Sequence, residues 1–179
     1  MKKGNNSLAS ISLAAFAWLL VTSTAQTCEP PPDGGQPPVQ TRRPAQGDDV
    51  RLTAGFGMRL HPLLNVRRMH TGVDWAAPRG TPVIAAGPGQ VVFAGEKGEY
   101  GNAVVIDHGG GWQTLYSQLS RIEAGVGDCV AFGALIGKVG STGLSSGPHL
   151  HFEVRQNGQP IDPLSVGVSN EPREPEEHK

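Results

Sequence analysis

The sequence is poor in net charge and in cysteine, and each shortage narrows the possible functions. Its 15 Lys and Arg residues are balanced by 16 Asp and Glu residues, for a formal net charge of −1. Composition therefore gives no case for a nucleic-acid partner, which would need a concentrated positive surface. Cys28 and Cys129 are the only cysteines, and neither lies in a metal-ligand spacing. In an oxidising compartment they either pair or remain two free thiols.

Long apolar runs are also scarce, and the one at the N-terminus is typical of an export signal. Lys2 and Lys3 precede an apolar stretch over residues 11–21, and small residues follow at 23–25. This order predicts a signal peptide over residues 1–25. The stretch is shorter than the about 20 residues that span a bilayer. We therefore expect an exported protein, periplasmic or extracellular, whose mature chain has no transmembrane segment; an uncleaved anchor is the alternative.

Glycine and proline are abundant, with 25 and 15 residues, and predict many turns and few long helices. Their concentration in residues 26–50 predicts a linker from which no core is built. Residues 51–166 form the predicted domain, and residues 167–179 a charged, disordered tail. Short β-rich runs separated by turns predict an antiparallel all-β fold built of hairpins. These runs are residues 82–86, 90–94, 103–107, 113–119, 134–139 and 149–155.

The last of these runs carries two histidines with strand spacing. Alternate side chains of a strand share a face, so His149, His151 and Glu153 lie together on one side. The apolar residues between them share the other side, which can be buried. This alternation predicts a strand whose apolar face is core and whose polar face holds an active site.

His70 and Asp74 form a second polar pair, four residues apart with Gly72 between them. The glycine and the β-branched neighbours favour a loop or a short extended segment over a helix. A catalytic zinc ion usually takes three protein ligands and leaves a position for water. Any three of His70, Asp74, His149 and His151 would complete that set, with the fourth left beside the metal.

In its ordered motifs, the chain resembles the lysostaphin-type, or LytM-domain, zinc endopeptidases that cut bacterial peptidoglycan. The resemblance covers residues 56–163, nearly the whole predicted domain. The motifs that carry it are FGMRLHP at 56–62, HTGVD at 70–74, YGN at 100–102 and GPHLHFE at 147–153.

The resemblance implies a fold, a cofactor and a division of roles. The fold is an antiparallel β-domain with an open active-site groove over one Zn²⁺ ion. His70, Asp74 and His151 are the implied zinc ligands, and the substrate partner is peptidoglycan. His149 is then the unligated histidine that takes a proton from the attacking water and passes it to the leaving amine. The bond that is cut and the oligomeric state stay open.

The sequence departs from the family at residue 118. The family usually has a second catalytic histidine in a Tyr-x-His-Leu pattern, whereas this chain reads Tyr116-Ser117-Gln118-Leu119. Glutamine can donate a hydrogen bond to a developing oxyanion but transfers no proton. We therefore expect either a slower zinc endopeptidase with Gln118 as a catalytic donor, or a zinc-binding, catalytically silent module that binds or regulates at the cell wall.

Three further residues are candidates for the substrate groove. Tyr116 precedes Gln118 by two positions and would share its strand face, although ordinary packing explains it as well. Arg67 and Arg68 precede the ligand pair and are suited to acidic peptide stems, or they form a solvated basic pair.

Overall fold

The computed structural model describes residues 28, 39, 42–61 and 63–170. Short antiparallel strands dominate these residues, and the helical segments among them are two 3₁₀ turns, Gly98–Tyr100 and Pro163–Val166. The strands are β1 Arg51–Ala54, β2 Gly57–Leu60, β3 Arg67–His70, β4 Val73–Ala76, β5 Pro82–Ile84, β6 Gly89–Glu96, β7 Asn102–Gly109, β8 Trp112–Ser117, β9 Leu119–Ile122, β10 Cys129–Val130, β11 Leu135–Val139, β12 His149–Gln156 and β13 Gln159–Ile161.

The strands form one large sheet, one small sheet and one separate hairpin. The large sheet has the order β1-β4-β12-β8-β7-β6-β10, with β13 paired to β12. The small sheet has the order β5-β11-β9, and β2 pairs with β3. All strand pairs are antiparallel, so the all-β fold expected from the sequence is confirmed. Strands β1 to β4, of four residues each, were not among the predicted strand runs, although a short extended segment was one of the alternatives at His70–Asp74.

The core lies against the apolar face of the large sheet. Phe152 of β12 is fully buried between Trp75 of β4 and Tyr116 of β8, with ring centroids 5.9 and 5.1 Å away. Leu150, two residues earlier on β12, is equally buried. This strand therefore has the two faces that its alternating sequence predicts, with apolar side chains in the core and the histidines opposite.

Val39, Ala45 and Val50 of the predicted linker and Val168 of the predicted tail belong to this core, so the expectation is wrong for these described residues of both segments. Ala45 is fully buried in a β-bridge with Val83. The buried Arg43 guanidinium donates to the carbonyl oxygens of Ala45, Val50 and Asn170. These scattered residues carry no periodic apolar pattern, so the sequence did not reveal this packing. Residues 1–25, the predicted signal peptide, and residues 171–179 lie outside the described part of the chain.

A disulfide joins the N-terminal segment to the large sheet. Cys28 and Cys129 are bonded, with their Cα atoms 5.4 Å apart. This decides between the two alternatives that the sequence left open. Within the described residues, no helix has the length and apolar character needed to cross a membrane.

Candidate metal centre and groove

Strand pairing brings the two polar motifs together. Strand β12 pairs antiparallel with β4, and this register places His151 opposite Asp74. His70 ends β3, and Gly72 lies in the short link between β3 and β4. A Cβ atom on Gly72 would lie 2.1 Å from the Phe152 carbonyl oxygen. Glycine is required here because the link passes directly over the backbone of β12.

Three ligand atoms converge at this crossing. The Asp74 Oδ1 atom lies 2.8 Å from His151 Nδ1 and 3.1 Å from His70 Nε2, and the two histidine nitrogens are 3.1 Å apart. All three side chains are largely buried. Two imidazole nitrogens and one carboxylate oxygen facing a common point form a group that can hold a metal ion.

Each histidine of this group is held by a contact on its other ring nitrogen. His70 Nδ1 donates to the Gly55 carbonyl oxygen at 2.7 Å, and His151 Nε2 donates to Glu153 Oε1 at 3.0 Å. Both acceptors fix the tautomer, because neither oxygen carries a proton to donate. His70 Nε2 and His151 Nδ1 are therefore the ring nitrogens turned to the common centre, in the orientation that metal ligation requires.

Glu153 is fully buried and anchors His151 through a network of donors. Its carboxylate accepts from Thr71 Oγ1 at 2.5 Å, from the Tyr100 hydroxyl at 2.8 Å and from Arg155 Nε at 2.6 Å. Burial acts to raise the pKa of this carboxyl group, but the hydrogen bonds from His151 and Thr71 outweigh it and lower the pKa to about 2. Glu153 is thus an ionised acceptor at any physiological pH.

Asp74 is also ionised inside the protein. Burial acts to raise its pKa, but hydrogen bonds with His151 and His70 hold the pKa far below its usual range. Arg59 Nη2 contacts the second carboxylate oxygen, Oδ2, at 3.0 Å. Burial acts to lower the pKa of His151, and the hydrogen bonds to Asp74 and Glu153 raise it to about 9. The ionised Asp74 and Glu153 carboxylates therefore favour a positive charge at the centre, which a proton or a bound cation can supply.

His149 lies beside the three ligands without joining them. Its Nε2 atom is 4.0 Å from Asp74 Oδ1. Its Nδ1 atom donates to the Gly147 carbonyl oxygen at 2.9 Å and also lies 3.2 Å from Ser145 Oγ. This contact places the hydrogen on Nδ1 and leaves the Nε2 lone pair facing the centre, where it can accept a proton.

A groove with two arms crosses the surface over the centre. Arg59, His61, Leu144, Asp74 and His149 line both arms. The first arm carries charged and polar groups: Arg68, Thr71, Glu99, Tyr100 and Gln118. The second arm has small or apolar residues: Thr53, Ala54, Leu63, Ser145, Ser146, Gly147 and Pro148.

The predicted groove residues fall in three different places. Tyr116 is wrong as a groove residue, because it is fully buried in the core and its hydroxyl accepts from the Ala86 N–H at 2.7 Å. Arg68 lines the first arm, where its Nη2 atom pairs with Glu99 Oε2 at 2.7 Å. Arg67 lies on β3 and is exposed, and it is not among the residues that line the groove, whereas its neighbour Arg68 is.

Gln118 lies at the end of β8 and lines the first arm. Its φ of 66° breaks the run that the sequence presents as one strand over residues 113–119. For this reason Gln118 turns to the groove, whereas Tyr116 turns to the core. Both ends of the Gln118 carboxamide contact backbone groups of neighbouring loops.

Sequence reasoning missed several residues that support the centre. Arg59 and Tyr100 belong to motifs that carry the family resemblance, yet nothing local shows that one holds Asp74 and the other Glu153. Glu153 shares a strand face with the histidines, and that pattern was the available indication of its role. Arg155 continues the same face and contacts Glu153.

Comparison with known proteins agrees with this geometry. Residues 68–163, more than half of the chain, match the model of Peptidase family M23. The chain belongs to peptidase family M23. This is a metallopeptidase family, and His70, Asp74 and His151 form a group that could hold a metal ion.

The M23 relatives include named cell-wall enzymes. The chain is 53% identical over 119 residues to the DD-carboxypeptidase/endopeptidase Mpg of Neisseria meningitidis, covering 66% of this chain and 27% of that protein. It is 40% identical over 119 residues to the peptidoglycan DD-endopeptidase ShyA of Vibrio cholerae, covering 66% of this chain and 28% of that one. The chain therefore spans about a quarter of the length of these curated relatives.

Solved M23 structures show the same fold. A zinc-containing peptidase from Vibrio cholerae superposes with a TM-score of 0.65 at 34% identity, covering 75% of this chain and 41% of that one. The catalytic domain of lysostaphin from Staphylococcus simulans superposes with a TM-score of 0.59 at 35% identity, covering 64% and 90%.

Proposed function

We propose that this protein is an exported, zinc-dependent M23 endopeptidase that hydrolyses peptide bonds in the stems or cross-bridges of bacterial peptidoglycan. The observation that carries the proposal is the convergence of His70, Asp74 and His151 under an open groove, with His149 beside them. Relatives named as peptidoglycan endopeptidases support the substrate class. The basic and apolar N-terminal sequence supports export.

The donor set suits zinc. Catalytic zinc sites take three nitrogen, oxygen or sulfur ligands and keep one position open. The three donor atoms lie 2.8–3.1 Å apart. Tetrahedral bonds of about 2.0–2.1 Å correspond to ligand separations of roughly 3.3 Å, so the triangle needs little adjustment. The two ligating ring nitrogens face the centre beside the ionised Asp74 carboxylate, whose negative charge favours a bound cation.

Zinc, when bound, polarises the scissile carbonyl and lowers the pKa of the attacking water. The chain's own groups do the remaining work. His149 accepts the water proton at Nε2 and delivers it to the leaving amine, since its Nδ1–H is occupied by Gly147. Arg59 holds the second oxygen of Asp74, and Glu153 holds the His151 ring, so both ligands keep their orientation.

Digestion of purified cell walls tests this proposal. Zinc-loaded protein should release peptide fragments, and the same protein stripped with a chelator should release none until zinc is restored. His149→Ala should retain zinc and lose the release. Zinc-loaded protein that frees no peptide from walls or from defined muropeptides would contradict the proposed activity.

A second function, from a different class, is a zinc-binding module that engages or regulates at the cell wall without cutting it. The observation that favours it is Gln118, a residue that transfers no proton, at the position where the family usually has a histidine. Gln118→His separates the two functions. A parent without activity and a variant with clear activity would support the silent module, whereas activity of the parent that His149→Ala abolishes supports the enzyme.

A further inference from the structure

Gln118 braces one wall of the groove. Its carboxamide lies between two segments of that wall, the 97–101 turn and the 140–147 loop. Oε1 accepts from the Gly143 N–H at 2.7 Å, and Nε2 donates to the Glu99 carbonyl oxygen at 3.2 Å. We propose that Gln118 is a positioning residue that holds these two segments together and thereby sets where the substrate lies. The catalytic meaning of this role rests on the proposed peptidase function.

The backbone of Gln118 is held in the conformation that directs its side chain between the two segments. Its N–H donates to the Tyr100 carbonyl oxygen at 2.9 Å, and the residue is only 5% exposed. The φ of 66° is unusual for a residue with a Cβ atom, and such conformations persist where the surroundings determine them. Three hydrogen bonds, one from the main chain and two from the side chain, thus join Gln118 to both segments.

The two segments are packed too closely to shift independently. The Glu99 carbonyl oxygen also accepts from the Leu144 N–H at 2.8 Å. A Cβ atom on Gly143 would lie 2.1 Å from the same oxygen. The close approach of the two backbones therefore requires glycine at position 143. The Gln118 carboxamide hydrogen-bonds to both backbones beside this contact.

The braced wall carries the side chains that line the charged arm of the groove. Glu99 pairs with Arg68 across the arm, and Tyr100 donates to Glu153. Leu144 lines both arms beside His149. Of these side chains, Tyr100 also reaches the ligand side, since its ring lies 5.7 Å from that of His151 and its hydroxyl donates to Glu153. Zinc content is therefore measured with every wall variant, and the proposal concerns the change in substrate placement at unchanged zinc content.

Amide hydrogen exchange tests the brace without any need for activity. In Gln118→Ala the Gly143 N–H loses its acceptor, and we expect its exchange to accelerate by about tenfold or more. Gln118→Glu keeps an acceptor for Gly143 but places a carboxylate against the Glu99 carbonyl oxygen. It should therefore retain protection at Gly143 and lose it at Leu144. Gln113→Ala, at the start of β8 and away from the groove, is the matched control and should change neither amide.

Steady-state kinetics on a defined cross-linked muropeptide supply the second readout. With zinc content unchanged, Gln118→Ala should raise KM by about fivefold to tenfold while kcat changes by less than about threefold, because placement is lost and the reacting groups remain. A fall in kcat of about 10² or more at unchanged KM would instead mark an oxyanion donor. That result would overturn the proposal.

The two proposals fail in distinguishable ways. If the wild-type protein cuts no muropeptide, the peptidase function fails, yet exchange at Gly143 and Leu144 still decides whether Gln118 holds the wall. If exchange at both amides is the same in Gln118→Ala as in the wild type, the brace is wrong, whatever the activity.

Discussion

The floor and the wall of the groove are built by different kinds of contact. The floor consists of β4 and β12, joined along a regular ladder from His149 opposite Ala76 to Phe152 opposite Val73. The wall consists of the 97–101 turn and the 140–147 loop, joined through the Gln118 carboxamide and single backbone contacts. The two strands of the floor are held together by a series of backbone hydrogen bonds, whereas the two segments of the wall are held together by a few contacts. Metal binding should therefore resist changes that disturb substrate placement.

Removal of a metal ligand above the floor, His70 at the end of β3, should have the largest effect. His70→Ala deletes Nε2 from the triangle and leaves two protein ligands, so zinc content and wall digestion should both fall to background. Zinc per chain after dialysis, measured with unfolding by circular dichroism, checks this. His108→Gln is the control, since His108 is buried, hydrogen-bonds to Pro88 and Thr114, and lines neither arm of the groove. Full zinc content in the His70 variant would contradict the ligand assignment.

Loss of the unligated histidine should separate chemistry from metal binding on the same floor. In His149→Ala we expect unchanged zinc content and a fall in kcat of about 10² to 10⁴, because the group that moves the proton is gone. Single-turnover digestion of a muropeptide, with zinc measured in the same sample, gives both numbers. A variant that loses zinc along with activity would make His149 a ligand.

A change behind the floor should have an intermediate effect. Glu153→Gln keeps the shape but removes the charged acceptor that orients His151 Nε2–H, and outer partners of this kind are worth about 10–100-fold in metal affinity. Competition with a fluorescent zinc chelator measures the shift. An affinity equal to that of the wild type would show that Thr71, Tyr100 and Arg155 do not act on the metal through Glu153.

A change in the wall should have the smallest effect and spare the metal. Gly143→Ala places a methyl group 2.1 Å from the Glu99 carbonyl oxygen, so the two segments must separate. KM should rise by about threefold to tenfold at constant zinc content. Gly95→Ala, on β6 and outside both arms of the groove, is the control, because its Cβ atom meets only Phe93 Cζ at the ordinary distance of 3.8 Å. Equal kinetics for the two variants would mean that the floor alone sets substrate placement.

Local patterns predicted much of the floor and little of the wall. The alternation over residues 149–155 gave the two faces of β12, because side-chain direction in a strand is a local property. The same rule placed Tyr116 and Gln118 on one face of a single strand, and this prediction was wrong because Tyr116 faces the core and Gln118 faces the groove. It assumes a continuous strand, and the positive φ at Gln118 ends β8 between them. That turn is stabilised by Tyr100, 18 positions earlier in the sequence.

The amino-acid sequence by itself determined the fold class and named the four polar residues of the centre, since turn composition, strand period and ligand chemistry are readable from short stretches. Only the tertiary structure decided that Asp74 meets both ligating histidines at one oxygen, that Glu153 and Gly55 set the histidine tautomers, and that Gln118 contacts two loops. Each of these facts depends on hydrogen bonds between residues distant in sequence. Their geometry comes from strand register and from close backbone contacts, which local residue patterns do not encode.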